Sequence, residues 1–279
     1  MNRERLTITL RNDLLKALDS EIDGQRLRNR SHAIEYFLSR SLGLKAVKVL
    51  ILAGGKPVYF ESEKKSLPKA MVKIAGKPLL EQTLQRLKAA KLTEVYISIG
   101  EGGETITDYF GDGGRMGMDI TYLHQTAGNG GNAQPLMQAK DYMHGSFLLL
   151  YGDVLSDVDF GDFVEFHRGQ KSSVCTIALA STDAVEQWGL AKLQGNKIVA
   201  FEEKPKEPKT FSRLVNAGIY MMEQQIFSFI GKADKLESDV FPRLAEEGKL
   251  FGYPYEGLWL DISNSAAYKQ AVKQINNNH

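Results

Sequence analysis

The sequence predicts an α/β protein in which a mostly parallel, mixed sheet carries helices on both faces and follows a small N-terminal unit. From Ala46 onward, short apolar runs alternate with amphipathic segments of helical period, which is the pattern of strands joined by crossover helices. Residues 5–43 differ, because one alternating segment precedes two helical ones. The 279 residues exceed the usual length of one domain, and 43% hydrophobic and 25% charged residues are ordinary for a globular chain. We therefore predict domains at residues 1–45 and 46–279.

Composition and patterning also exclude several classes of protein. No apolar run approaches the roughly 20 residues that span a bilayer, and the N-terminus lacks the apolar stretch of a secretory signal. We therefore expect a cytoplasmic protein with no membrane partner. The single cysteine, Cys175, lies in an apolar run, so an internal disulfide is excluded and the thiol is predicted to be buried.

The N-terminal pattern predicts one strand followed by two helices. Residues 5–11 alternate apolar and polar side chains, as a half-buried strand does. Asn12 is predicted to cap a helix that stops at Gly24, and a second helix is predicted from residues 29–31 to Gly43. A single strand leaves its backbone groups unpaired, and about 40 residues make a marginal core. We therefore expect a homodimer through residues 5–43.

This strand-helix-helix pattern resembles the ribbon-helix-helix family of DNA-binding domains. The resemblance implies double-stranded DNA as a partner, with the polar ribbon face at base edges and the start of the second helix at a phosphate. Nine basic and six acidic residues give the first 46 residues a charge of +3, against −2 for the rest. The alternative is a dimerisation module with a solvated polar face. The residues assigned to DNA are Arg5, Thr7, Thr9, Arg11, Asn29, Arg30 and Ser31.

The remaining residues predict a sheet whose ligand edge carries glycine and aspartate. In parallel sheets ligands bind at the carboxyl ends of the strands, where Gly54-Gly55 and Gly152-Asp153 are expected. Helices are predicted at PLLEQTLQRLKAA, near residues 103–110 and at QPLMQAKDYM. Strands of one continuous sheet are predicted at AVKVLILAGG, EVYISI, DITYL, SFLLLYGD, SVCTIALA, LAKL, KIVAFEE, LVNAGIYMM and LWLDI.

A series of motifs in this second part resembles the sugar-1-phosphate nucleotidyltransferases over residues 47–275. The motifs are LAGG at 52–55, LPKAMVKIAGKPLL at 67–80, YGDVLSD at 151–157, FEEKP at 201–205, VNAGIYMM at 215–222, DVFPRLAEEGKLFGYP at 239–254 and LWLDIS at 258–263. The resemblance implies the Rossmann-like fold of nucleotide-diphospho-sugar transferases. Enzymes of this family join a nucleoside triphosphate to a sugar 1-phosphate and release pyrophosphate. Many assemble as tetramers, which makes a tetramer the larger assembly to expect.

The same resemblance implies roles for individual residues. Mg²⁺ is expected on Asp153 and Asp261, and Lys69 with Asp153 would form the catalytic pair. Sugar and sugar-phosphate contacts are implied for Glu203, Lys204, Asn216 and Gly218. Nucleotide contacts are implied for Ala53, Gly54, Gly55, Lys69 and Gly131.

Two departures from the family pattern weaken the expectation of catalysis. The family loop reads Gly-Gly-x-Gly-Thr-Arg-Leu, but here Pro57 replaces the third glycine and Tyr59 replaces the arginine. Proline has no N–H to offer a phosphate, and tyrosine is neutral near pH 7. Residues 131–136 read GNAQPL where relatives tend to read GTAGAL. Because each lost contact of this kind costs roughly 10²–10³-fold in rate, we expect weak or no turnover.

These observations favour one function and leave two alternatives. The favoured interpretation is a DNA-binding transcription regulator whose degenerate second domain binds a sugar phosphate, nucleotide or nucleotide-sugar without turnover. The first alternative is an active sugar-1-phosphate nucleotidyltransferase with an N-terminal dimerisation or DNA-binding module. The second is a purely structural oligomerisation protein whose pocket is vestigial.

Overall fold

The computed structural model describes residues 7–22, 27, 29–41, 47–125, 133–208, 212–231 and 234–277. The chain divides into two compact units, Met1–Ala46 and Val47–His279. Within the described residues, every helix is too short or too polar to cross a bilayer.

Where the structure describes the N-terminal unit, it shows two helices, α1 at Asn12–Ser20 and α2 at Arg30–Ser41. Helix α1 begins at the predicted residue, but Arg11 rather than Asn12 occupies the N-cap position and its side chain makes no capping bond. Residues 7–11, the described part of the predicted strand, form no strand. The physical reason is that strand pairing needs a second strand, and the described residues of this unit supply none.

Several large apolar side chains of the N-terminal unit remain in solvent, although Leu27 and Ala33 are buried. No residue of α1 is buried, and Ile8, Leu14 and Leu38 are 44%, 50% and 49% exposed. The two helices are joined by Arg30, whose guanidinium donates to both carboxylate oxygens of Asp19 at 2.7 Å. These hydrogen bonds lower the pKa of the Asp19 carboxyl.

The second unit contains fifteen strands and six helices in its described residues. Its helices are α3 at Leu79–Ala89, α4 at Glu104–Phe110, α5 at Ala133–Gln138, α6 at Phe160–Gly169, α7 at Phe241–Glu246 and α8 at Ser265–Asn277. Its strands are β1 at Lys48–Ala53, β2 at Val58–Phe60, β3 at Lys65–Leu67, β4 at Lys73–Ile74, β5 at Lys77–Pro78, β6 at Glu94–Ile99, β7 at Asp119–His124, β8 at Phe147–Tyr151, β9 at Val154–Ser156, β10 at Cys175–Ser181, β11 at Gly189–Gln194, β12 at Lys197–Glu203, β13 at Leu214–Met222, β14 at Leu250–Pro254 and β15 at Trp259–Asp261.

Nine of these strands form the main sheet, in the order β10-β14-β12-β11-β13-β8-β1-β6-β7. The four strands β8, β1, β6 and β7 are parallel, and β13 joins them antiparallel to β8. Beyond β13, antiparallel pairs dominate, with β10 and β14 parallel to one another. The α/β mixed sheet predicted from the alternating pattern is therefore present.

Alternate residues of the central strands pack against helices on opposite faces. Along β1, Val49 and Ile51 join a core that includes Leu84 of α3, while Leu50 joins a second core that includes Leu136 of α5. Such continuous apolar strands are expected in a sheet that is covered on both sides.

Two predicted elements differ from those observed. The LWLDI strand, β15, pairs with β9 in a separate two-stranded sheet rather than joining the main one. The QPLMQAKDYM helix is only six residues long as α5, after which the chain continues in turns. Both errors arise because periodicity identifies an apolar segment but does not identify its partner or its end.

Candidate active site

The carboxyl ends of the parallel strands bring glycine and polar side chains together. Gly54 and Gly55 follow β1, and Gln125 follows β7. The Gln125 side chain lies so close to Gly54 that any Cβ at that position would overlap it. Its amide donates to Ser98 Oγ at 3.1 Å, which fixes the side chain at this edge. The sequence analysis missed Gln125, although its place directly after an apolar strand was a usable signal.

Lys69, Asp153 and Asp261 form a charged cluster beside this edge. Lys69 begins a short 3₁₀ helix, Lys69–Met71, and its Nζ pairs with Asp153 Oδ2. Strand β15 runs antiparallel to β9, which places Asp261 opposite Val154. The N–H of Ile262 donates to the Asp153 carbonyl at 2.8 Å, so the backbone ties the two aspartates together.

Burial and charge give Asp261 a perturbed acidity. Burial and the neighbouring charge of Asp153 raise its pKa, while a hydrogen bond from the Ser263 N–H at 2.8 Å and the charge of Lys69 oppose the rise. Among the described residues, no group of three or more His, Cys, Asp or Glu side chains could hold a metal. Two adjacent carboxylates suit Mg²⁺, which takes one or two protein carboxylates and completes its shell with substrate phosphates and water.

Glu203 and Lys204 form the second charged group, at the end of β12. Lys204 adopts a left-handed backbone conformation with φ of 46°, and its N–H donates to the Trp188 carbonyl at 3.0 Å. Its side chain is 65% exposed, and its Nζ lies 3.7 Å from Glu203 Oε1. Burial and the charge of Glu237 raise the pKa of Glu203. The turn at Lys204 thus leaves a flexible cation available to an anionic ligand.

Asn216 and Gly218 lie on β13 next to a pair of tryptophans. Gly218 has φ of 75°, and its N–H donates to Asn216 Oδ1 at 3.0 Å. The indole of Trp259 donates to the Ala217 carbonyl at 3.1 Å and packs edge-on against Trp188, with 5.0 Å between ring centroids. Because Trp259 and Asp261 belong to the same strand, β15 connects the two charged groups.

The loop that departs from the family pattern forms a hairpin. Strands β2 and β3 pair with Val58 opposite Leu67 and Tyr59 opposite Ser66. Tyr59 is 56% exposed, and Pro57 packs over Gly102 with its Cγ 3.2 Å from where a Cβ would stand. Tyr59 is therefore part of the paired strand β2, and Pro57, which precedes this strand, has no N–H to donate.

The predicted DNA-contacting residues have mixed placements. Arg30 is held by Asp19, and Arg11 pairs with Asp13 at 3.0 Å, so neither guanidinium is free of an internal carboxylate. Thr7, Thr9, Asn29 and Ser31 are exposed. Arg5 and the predicted nucleotide contact Gly131 lie outside the described residues.

The fold and the polar residues at the carboxyl edge of the parallel strands define a class of α/β protein, and comparison with known proteins identifies the family. The chain belongs to the nucleotidyl transferase family, whose model matches residues 48–278. It is 28% identical over 82% of its length to a UTP–glucose-1-phosphate uridylyltransferase of Synechocystis. It is 30% identical over 80% of its length to a rice protein provisionally named a mannose-1-phosphate guanylyltransferase. Each match spans 63% of the relative's own length.

Solved structures agree on the fold. A Bacillus anthracis protein, provisionally named a glucose-1-phosphate thymidylyltransferase, superposes with a TM-score of 0.72 at 27% identity. The superposition covers 82% of this chain and 94% of that one. The nucleotide-diphospho-sugar transferase fold expected from the motifs is thereby confirmed.

These findings correct the favoured interpretation of the sequence. The prediction of a DNA-binding transcription regulator is wrong, because the family match begins at residue 48 and the relatives across most of the chain are named as sugar-1-phosphate nucleotidyltransferases. The prediction of a domain that binds without reacting is wrong for the same reason. That prediction relied on the replacements at two loop positions, Pro57 and Tyr59. It gave too little weight to the charged residues that the structure brings together, which are Lys69, Asp153 and Asp261.

Proposed function

We propose that this chain is a sugar-1-phosphate nucleotidyltransferase, which converts a nucleoside triphosphate and a sugar 1-phosphate to a nucleotide-sugar and pyrophosphate. The observation that carries the proposal is the cluster of Lys69, Asp153 and Asp261, joined through β15 to the group around Glu203 and Lys204. This arrangement offers one cation and a metal-binding pair for the triphosphate, and a second cation for the sugar phosphate.

In the proposed reaction, a phosphate oxygen of the sugar 1-phosphate attacks the α-phosphorus of the triphosphate. The new P–O bond forms as the bond to the pyrophosphate oxygen breaks, and both electrons of that bond leave with pyrophosphate. Lys69 would neutralise charge on the α-phosphate. Ala53, Gly54 and Gly55 would offer backbone groups to the nucleotide, together with Gly131. Fixed donors and cations of this kind stabilise developing charge without reorganising.

The sugar phosphate would be bound on the opposite side of the reacting phosphorus. Lys204 would pair with its phosphate, and Glu203, Asn216 and Gly218 would contact the hydroxyls. Because both reactants would be held at one edge of the sheet, they would already be positioned for reaction. This lowers the entropic part of the activation barrier.

Asp153 and Asp261 would hold Mg²⁺. The metal would neutralise charge on the triphosphate and on the departing pyrophosphate. The pair suits this role because Asp261 is buried beside a second negative charge, a situation that a divalent cation relieves. On substrate binding, Lys69 would exchange its contact with Asp153 for one with the α-phosphate.

A pyrophosphate-release assay tests the proposal. Glucose 1-phosphate and mannose 1-phosphate are each combined with UTP, dTTP, GTP, ATP or CTP in the presence of Mg²⁺. We expect pyrophosphate and the matching nucleotide-sugar, identified by mass spectrometry, with at least one pair. The same assay is then run with other hexose and hexosamine 1-phosphates. If neither product forms with any combination, the proposed function is refuted.

For the N-terminal unit we infer self-association. Ile8, Leu14 and Leu38 expose apolar surface on a unit of about 40 residues, a size at which oligomerisation usually supplies missing core. Sedimentation of the full chain should show a homodimer or a tetramer. Leu14→Lys with Leu38→Lys should reduce the assembly, whereas Val199→Lys, at a comparably exposed apolar residue of the second unit, should not. A monomeric parent at micromolar concentration would refute the inference.

A further inference from the structure

A chain of hydrogen bonds runs beneath the sugar side of the proposed site. Asn216 Nδ2 donates to the Tyr220 hydroxyl at 2.8 Å. The Tyr220 hydroxyl hydrogen-bonds to that of Tyr151. Tyr151 in turn donates to Glu237 Oε1. Three elements, β13, β8 and the turn that carries Glu237, are therefore linked through side chains alone.

The chemistry of its two ends fixes the direction of this chain. A carboxylate only accepts, so the Tyr151 proton is directed to Glu237. Burial raises the pKa of Tyr220, which leaves it a neutral hydroxyl with one proton to donate. Because the single proton of Tyr151 is already given to Glu237, the hydrogen bond between the two hydroxyls must be donated by Tyr220. Each hydroxyl therefore accepts on the side of Asn216 and donates on the side of Glu237.

These hydrogen bonds fix the orientation of the Asn216 amide. Its Nδ2 is committed to Tyr220, and its Oδ1 accepts from the Gly218 N–H at 3.0 Å. The amide can no longer exchange its oxygen and nitrogen by rotation. One N–H and one lone pair remain, in fixed places, to meet a ligand.

Packing around these hydrogen bonds also holds the side chains in place. The rings of Tyr151 and Tyr220 meet edge-on, with centroids 5.5 Å apart. Tyr151 also lies against Gly218, where an added Cβ would stand 3.3 Å from the ring. Tyr220 is fully buried. The tyrosine pair therefore supports both the side chain of Asn216 and the backbone that it accepts from.

Glu237 reaches this position from a π-helical turn, Leu236–Val240. Its neighbours Leu236 and Val240 are buried, so the turn is anchored in the core on both sides of Glu237. Single π-helical turns of this kind occur often at functional sites. The charge of Glu237 also contributes to the raised pKa of Glu203, the other acidic residue in the proposed sugar site.

We propose that Glu237, Tyr151 and Tyr220 are positioning residues that set the donor and acceptor orientation of Asn216, and so select among the hydroxyl patterns of sugar 1-phosphates. This inference rests on the proposed function. The three residues act through Asn216 and need not touch the substrate themselves. Their loss should therefore relax discrimination at one hydroxyl rather than remove turnover.

The test compares Tyr220→Phe and Glu237→Leu with the parent, because the first removes a hydroxyl from the chain and the second removes its terminal acceptor. Tyr253→Phe is the matched control, because the Tyr253 hydroxyl also donates to a carboxylate, that of Asp162, while its ring packs on Phe163 and Phe166. Glucose 1-phosphate and mannose 1-phosphate are screened with the five triphosphates. The fastest pair is then used with the 2-, 3-, 4- and 6-deoxy analogues of that hexose 1-phosphate.

We expect the KM for the sugar 1-phosphate to rise about tenfold in Tyr220→Phe and Glu237→Leu, the effect of losing one well-placed hydrogen bond, while the KM for the triphosphate stays within about twofold. The parent should discriminate against one deoxy analogue, and the variants should lose most of that discrimination. Tyr253→Phe should match the parent in all three measurements.

The outcomes separate the inference from the proposed function. If the parent turns over and both variants keep its sugar KM and its preference among the deoxy analogues, the positioning role is wrong. It is also wrong if both KM values rise together, because that pattern indicates general damage. If Tyr220→Phe fails to fold, Glu237→Leu decides alone. A parent that forms no nucleotide-sugar with any pair overturns the proposed function, and this inference with it.

Discussion

Lys204 combines an exposed cationic side chain, which pairs with Glu203 at 3.7 Å, with a backbone conformation that few residues adopt. Replacing it by methionine keeps the chain length and removes the charge. A hydrogen-bonded charged contact contributes about 1.5–3 kcal/mol, so Lys204→Met should raise the KM for the sugar 1-phosphate roughly 10- to 100-fold and leave the KM for the triphosphate nearly unchanged. Steady-state kinetics with each substrate varied in turn measures both values.

The nearby Lys206→Met provides the matched control for this change. Lys206 is also exposed and follows Lys204 on the same segment, but no role is proposed for it. Equal effects of the two substitutions would show that Lys204 contributes only general positive charge to this side of the molecule.

Replacing Glu203 by glutamine should increase the stability of the protein and weaken its use of the sugar 1-phosphate. Its pKa is raised above 4.5 in the folded protein, so the folded state binds a proton more readily than the unfolded state between 4.5 and the raised value. The ionised carboxylate therefore lowers the free energy of unfolding above that window. Glu203→Gln should be more stable than the parent at pH 7, and its advantage should shrink as pH falls toward 4.5. Urea unfolding at a series of pH values measures this.

The same Glu203→Gln substitution should weaken use of the sugar 1-phosphate. Greater stability at pH 7 with unchanged kinetics would show that the residue is not a sugar contact. A loss of stability at pH 7 would instead contradict the direction of its pKa shift.

At the scale of elements, the β2–β3 hairpin carries the principal departure from the family loop. Tyr59 places an exposed ring at the position at which the family loop has an arginine. Tyr59→Arg should therefore raise kcat, by an amount bounded by the roughly 10²–10³-fold that one such contact contributes elsewhere. Pyrophosphate release under saturating substrates measures it, with Tyr59→Gln as the polar but uncharged control. An arginine variant no faster than the glutamine variant would show that the hairpin does not face the reacting phosphates.

Strand β13 needs a glycine at position 218 for two separable reasons. Gly218 has φ of 75°, and a Cβ there would approach Val154 Cγ2 to 3.1 Å. Gly195 shares the strained conformation, with φ of 57°, but has open space around it. Gly195→Ala should cost about 1 kcal/mol from backbone strain alone, and Gly218→Ala should cost more because crowding is added. Denaturant unfolding of both variants would refute this account if their losses were equal.

The elements were more predictable than the contacts between them. Apolar runs identified β1, β6 and β8, and the aspartates 153 and 261 followed two such runs in recognisable motifs. The pairing of Lys69 with Asp153 spans 84 residues, and that of Tyr151 with Glu237 spans 86. Such contacts depend on strand register and on a π-helical turn, which have no local sequence signature. The replacement of an arginine by Tyr59 was visible in the sequence, but its effect on catalysis was not.

At the scale of the whole molecule, Cys175 offers a natural probe of unfolding. The predicted burial of its side chain is confirmed, since no part of it is exposed, and burial raises the pKa of the thiol. It lies in β10, which pairs with both β13 and β14. Iodoacetamide should therefore label the native protein only through opening of the sheet, at a rate that rises steeply with urea.

The labelling rate of Cys175 should follow the unfolding measured by tryptophan fluorescence, because Trp188 and Trp259 lie in the same unit. Rapid stoichiometric labelling in buffer would contradict the sheet order around β10. Ser181→Cys supplies an exposed reference thiol on the same strand, which should react at once.

The order of strands in the sheet has a consequence for synthesis. Strand β1 lies between β6 and β8, and Leu50 pairs with Leu149, about 100 residues further along the chain. At roughly 5–20 residues per second, a ribosome needs about 5–20 s to supply that partner after β1 has been made. Throughout this interval the run of apolar residues from Val49 to Ile51 lacks its β8 partner, so the edge that β8 later covers stays open. The nascent chain therefore exposes an unpaired apolar strand that the finished sheet encloses between β8 and β6.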